Sequence, residues 1–173
     1  MTRMRDLSAI YEQKRKGYIE NATKKSIPHG ASVKQVDGFY QESKVHQFTL
    51  SSDEHVEPWG GTDKAPSPLQ YFFSSLGFSI NNQILIHSAL FGAKIDSLDT
   101  LVEGNFDPAG CYNIKGRIPR VTTIVLTFKI SSDASPKLLK KVIDTAAKSD
   151  PVYQTLKDSV KIKRKIERIR FPS

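Results

Sequence analysis

The stretch APSPLQYFFSSLGFSINNQIL, residues 65–85, decides the fold. Ser67 is placed as a helix N-cap, Pro68 stands in the first helical turn where its missing amide costs nothing, and Gln70 closes a capping box. A long helix therefore starts here and ends at Gly92, which suits the left-handed position after a C-terminus. Apolar residues crowd most of its circumference, yet Ser79, Asn81, Asn82 and Gln83 interrupt them in the middle. Amides inside a buried helix need hydrogen-bond partners, and pairing with the same helix of a second copy would satisfy them while fixing register.

Either side of this helix the pattern turns to strands. Alternation around Ser32–Val36 and Val45–Leu50, with Asp37-Gly38 between them, predicts a hairpin. The turn-rich run SSDEHVEPWGGTDKAPSP, residues 51–68, is a loop. Downstream, a strand is expected near Ser97–Phe106, then the loop FDPAGCYNIKGRIP. The clearest strand of the chain follows, with Thr122, Ile124, Leu126, Phe128 and Ile130 on one face. Ser135-Pro136 repeats the N-cap grammar, and Leu138, Leu139, Val142, Ile143, Ala146 and Ala147 make the stripe of a second helix. Asp150-Pro151 starts a short helical turn, and the segment from Val160 to Phe171 reads as a strand. Residues 6–24 read as an appended amphipathic helix, so residues 1–28 are expected as an extension on a domain of residues 29–173. The fold class is α+β, without internal repeats.

Composition narrows the function classes. The 173 residues fit one domain plus an extension. The charged first residues lack a secretory apolar core, which predicts a cytoplasmic protein. The segment Leu69–Phe91 is long enough to span a bilayer, but Asn81, Asn82, Gln83 and His87 argue for burial in protein and against a membrane. One cysteine, Cys111, excludes an intramolecular disulfide and multi-cysteine zinc sites; His29, His46, His55 and His87 are isolated, so no metal and no cofactor is expected. The net charge of +8 gathers at the ends, in Arg3, Arg5, Lys14–Lys16, Lys24 and Lys25, and again in Lys161, Lys163–Lys165, Arg168 and Arg170. No aromatic-interleaved stripe accompanies it, so solvated faces are favoured over nucleic-acid binding. GGTDK lacks both the hydroxyl residue after lysine and the preceding strand of a phosphate loop.

Three signatures in order, FTLSSDEHVEPWGGTDKAPSPLQYFFSSLGFSINNQI, IDSLDTLVEGNFD and ISSDASPKLLKKVIDTAAKSDPV, resemble the OsmC/Ohr family of osmotically inducible and organic hydroperoxide resistance proteins, over about residues 31–165. The resemblance implies an intertwined homodimer with long central helices packed against antiparallel sheets. It also implies a peroxidase cysteine on the central helix and a resolving cysteine before Pro-Val. The matching residues here are Ser79 and Asp150, and the carboxylate the family often places after the helix-starting proline matches Leu69. The family's activating arginine has no match between Ala31 and Leu50.

Peroxide reduction needs a thiolate that attacks the O–O bond and is carried as a sulfenic acid, which a serine hydroxyl cannot replace. No catalytic residue is therefore assigned. The expectation is a homodimer that binds a small organic ligand at an interface pocket lined by Ser79, Asp150, Phe72 and Phe78, with Trp59, Asp63 and Lys64 at its mouth. The alternatives are a hydrolase using Ser79 with a histidine from a second chain, a peroxidase using Cys111, and a basic-surface nucleic-acid binder. His87 lies about 12 Å along the same helix from Ser79 and cannot act as its base in the same chain. A hydroxyl bonded to the carbonyl one turn back is the plainest role for Ser79, a helix cap the plainest role for Asp150, and a hydrogen bond between the two follows if the family fold holds.

Overall fold

The computed structural model describes residues 7–21 and 27–169, in two compact units. One unit contains residues 22–74. It holds an antiparallel meander of β1 (Ser32–Asp37), β2 (Tyr40–Val45) and β3 (Phe48–Ser52), the loop after it, and the first turns of helix α2 (Pro68–Leu90). The predicted second strand, Val45–Leu50, is broken at residues 46–47 by a turn that joins the end of β2 to the start of β3. His46 sits there at φ 53 without the glycine that announces such turns. The pairings Val33↔Ser43, Ser43↔Leu50 and Val45↔Phe48 put Val33, Val45, Phe48 and Leu50 on one face, of which Val33 is 62 % and Phe48 60 % exposed.

The other unit contains α1 (Leu7–Glu20), the rest of α2, and a sheet ordered β4 (Ser97–Phe106), β5 (Val121–Ser131), β6 (Lys161–Arg168). A 3-10 turn at Pro108–Tyr112 joins β4 to β5; α3 (Pro136–Ser149) and α4 (Pro151–Leu156) join β5 to β6. β4 runs antiparallel to β5 and β6 parallel to it, which is why a helical crossover separates β5 from β6. The sequence-predicted long helix, the two strands after it, the second helix, the short helix and the final strand are all found. The residues around 22–24 and from 170 onward that the sequence reading included lie outside the described residues.

Burial follows the two periodicities. Ile124, Leu126, Phe128 and Ile130 of β5 are fully buried on one sheet face. Leu76, Ile80 and Ile84 of α2 and Leu139, Val142, Ile143 and Ala146 of α3 complete that core at helical spacing. Gly77 brings α2 close to β4: a Cβ there would lie 3.2 Å from a Val102 methyl, so the glycine permits the approach. On the opposite face Lys161, Lys163 and Lys165 line β6, the edge strand, where lysines discourage pairing with a foreign strand.

Candidate functional site

Ser79 and Asp150 meet. Asp150 ends α3 and starts α4. Its extended backbone (φ −79°, ψ 120°) turns the chain, Pro151 follows in the first helical position, and one carboxylate oxygen accepts the Tyr153 amide at 2.6 Å. The other oxygen accepts the Ser79 hydroxyl of α2 at 2.5 Å, across 71 residues of chain, and the Asp150 side chain is fully buried. The expected serine–aspartate hydrogen bond is present, and it replaces the carbonyl one turn back as the partner of Ser79. Chemically this pair is quiet, since a carboxylate is too weak a base to take the proton of an alcohol and here serves as its acceptor.

The histidine on the same helix points elsewhere. His87 is buried, shares a hydrogen bond of 2.7 Å through Nε2 with the Ser149 hydroxyl, and receives the edge of the Tyr11 ring of α1 at 5.9 Å. Its Nδ1 has no hydrogen-bond partner among the described residues, and burial pushes its pKa below the ordinary 6.5. Thus the neutral ring is a wedge between α1, α2 and α3. Two of the interrupting amides also find partners within the chain: Asn81 accepts from the Thr100 hydroxyl at 2.5 Å and Gln83 from Ser149 at 3.3 Å. Asn82 is exposed. The side-chain oxygens of two of these amides are thus satisfied within the chain, by distant β4 and α3, where the sequence reading looked to a second copy.

Of the other residues singled out, Phe78 is 71 % exposed on α2, Phe72 stacks edge-on against Phe73 at 5.4 Å, and Trp59 is half-buried in the loop after β3. Cys111 is exposed in the 3-10 turn after β4. Among the described residues no three metal-ligating side chains cluster, and no helix is long and apolar enough to cross a membrane.

The residue that sequence reading missed is Asp53, 1 % exposed at the start of the loop it organises. Its carboxylate accepts the Thr62 hydroxyl and the amides of Glu54, Thr62 and Lys64 at 2.5–3.1 Å. Gly61 is required beside it, because a Cβ would overlap the Glu54 carbonyl. Asp63 pairs with His55 at 3.0 Å, and Lys64 holds its ammonium 5.9 Å from the Tyr40 ring centre. The Thr62 hydroxyl, helped by the three amides, holds the Asp53 carboxyl at about 2, below its ordinary 3.8. A depressed carboxyl contributes stability that is complete above the unfolded value of 3.8 and is lost as pH falls through about 2. The Thr62 and Lys64 amides should therefore keep their hydrogen-exchange protection at pH 4 and lose it toward pH 2, and Asp53→Asn should abolish the transition. Unchanged protection across that range would remove Asp53 as the organiser.

Residues 61–165 match the family described as OsmC-like protein. Among solved structures, an OsmC-like protein from Mycoplasma pneumoniae superposes with a TM-score of 0.73 at 19% identity, covering 84% of this chain and 100% of that one. An organic hydroperoxide resistance protein OsmC from Legionella pneumophila gives 0.65 at 12% identity over 82% of this chain and 99% of that one. One from Elizabethkingia anophelis, crystallised with thiocyanate bound, gives 0.66 at 10% over 84% and 100%. Comparison with curated protein sequences finds no match. These structures share the fold, the family match spans more than half of the chain, and the protein is accordingly a member of the OsmC-like family, a divergent one with a single cysteine.

Proposed function

We propose that this family member has no thiol peroxidase activity and works in the cytoplasm as a homodimer that binds a small organic ligand, with residues 1–28 as an extension of the OsmC-like domain of residues 29–173. The observation that carries the reading is the half-buried hydrogen bond from Ser79 to the fully buried Asp150. By resemblance these two residues stand where family peroxidases keep their two thiols, so the chain keeps the contact between the two positions and lacks the sulfur. The names of the Legionella and Elizabethkingia relatives connect the fold with organic hydroperoxides, which makes apolar organic molecules the ligand class to try first. Exposed Phe78 on α2 and the uncovered apolar face of the β1–β3 sheet support a second copy, since a sheet of three short strands needs one face covered. On this reading Ser79, Asp150, Phe72, Phe78 and Trp59 contribute to the ligand site.

The pair is also hostile to a restored thiol. A carboxylate at hydrogen-bond distance opposes the thiolate and raises the thiol pKa. In a Cys111→Ser background, Ser79→Cys should therefore alkylate slowly at pH 7, and Ser79→Cys/Asp150→Asn should react about tenfold faster, the effect of roughly one pKa unit. Equal rates in the two variants would show that Asp150 does not govern the chemistry of position 79.

A further inference from the structure

Helix α3 and the edge strand β6 enclose an open groove of about 560 Å³, remote in sequence from Ser79 and independent of the reading above. Its floor is apolar. Leu139 and Ile143 come from the buried stripe of α3, and Ile162 and Ile166 from alternate positions of β6. The floor is continuous with the core, since Ile162 pairs with Ile124 and Ile166 with Phe128, both fully buried. Ile166 itself is 40 % exposed.

The rim is cationic. Asp144 serves Lys140 at 2.5 Å and Arg164 at 3.1 Å, which hold its carboxyl below the usual carboxylate range. One carboxylate thus faces two cations. Arg164 is further committed to the Ile143 carbonyl at 3.5 Å and lies 6.0 Å from the Tyr153 ring centre. Arg168, on the same face of β6, donates to the neutral Ser132 carbonyl at 2.7 Å and forms no ion pair among the described residues. Three cations around one anion leave the groove with two positive charges uncompensated. Its volume lies within the range of small-molecule sites, roughly 300–1,000 Å³.

We propose that the groove between α3 and β6 binds a free aliphatic monocarboxylic acid, its chain on Ile143, Ile162 and Ile166 and its carboxylate on Arg168. The apolar floor selects a hydrocarbon tail over a sugar or nucleotide. The single arginine without a carboxylate partner suits one planar carboxylate, for which a guanidinium offers two parallel donors.

The test uses the full chain with isoleucine methyl groups labelled for NMR, titrated with decanoate below its micellar concentration. Saturable shifts of Ile143, Ile162 and Ile166 are expected, with decanol binding about tenfold more weakly and Arg168→Met weakening decanoate by about the same factor. Arg168→Lys, which keeps the charge and loses the fork, should fall between. No shift at millimolar decanoate, equal affinity for decanol, unchanged affinity in Arg168→Met, or shifts confined to Ile80 and Ile84 would each overturn the proposal. Shifts of the groove methyls on raising the protein concentration without decanoate would assign the groove to a second copy, and so overturn it as well.

Discussion

Asp150→Ala is expected to lower the unfolding free energy of the full chain by about 3 kcal/mol, read from urea denaturation. Two losses combine: the cap on the Tyr153 amide, about 1–2 kcal/mol, and a charge-assisted hydrogen bond that leaves the Ser79 hydroxyl without its acceptor, about 1.5–3 kcal/mol. The two are not strictly additive, because one carboxylate makes both contacts. Asp150→Asn keeps the cap oxygen and turns an amide donor toward the Ser79 oxygen, which frees the Ser79 hydroxyl proton for the carbonyl one turn back, and should cost only about 1 kcal/mol. Ser79→Ala removes the donor but leaves Asp150 capping α4, so its loss should also be the smaller one. If Asp150→Ala cost less than Ser79→Ala, the carboxylate would not be the tie between α2 and α4.

Phe78→Asp should convert the dimer proposed above into a monomer in sedimentation velocity. The side chain is 71 % exposed in one copy, so its burial against a partner would contribute about 1.5–3 kcal/mol. In a two-fold interface the substitution acts on both copies at once. It also brings two like charges into an apolar contact, which adds to the loss. Together these correspond to a weakening of at least about a hundredfold, since each 1.4 kcal/mol is about tenfold. Ser79 and Asp150 remain bonded within the chain, so the monomer should keep its helical circular dichroism. A Phe78→Asp protein that sediments as the wild type does would place any dimer contact elsewhere.

The elements that were legible in the sequence are those with local punctuation. The Ser67–Gln70 box is found with the Ser67 amide donating to Gln70 at 2.8 Å, Ser135 caps α3, and Gly92 follows α2 at φ 67. β5 was legible because period two persists along its length. The split of β2 from β3 was not, because Val45, Phe48 and Leu50 continue an apolar rhythm through a turn whose positive φ falls on a histidine. Asp53 looked like one more solvated acid in a turn-rich run; its partners are backbone amides brought round by the loop, and no residue spacing encodes them. The partners of the Asn81 and Gln83 oxygens were hidden for a related reason, since Thr100 and Ser149 are 19 and 66 residues away. The Ser79–Asp150 contact spans 71 residues and became readable only through the family resemblance.

The central claim is that a fold shared with hydroperoxide resistance proteins persists here without thiol peroxidase chemistry. Its most direct test is the consumption of an organic hydroperoxide by the purified full chain with a dithiol reductant, beside Cys111→Ser. The account predicts no turnover above the reductant alone for either protein. Turnover by the wild type that disappears in Cys111→Ser would contradict it and move the family chemistry to the loop after β4.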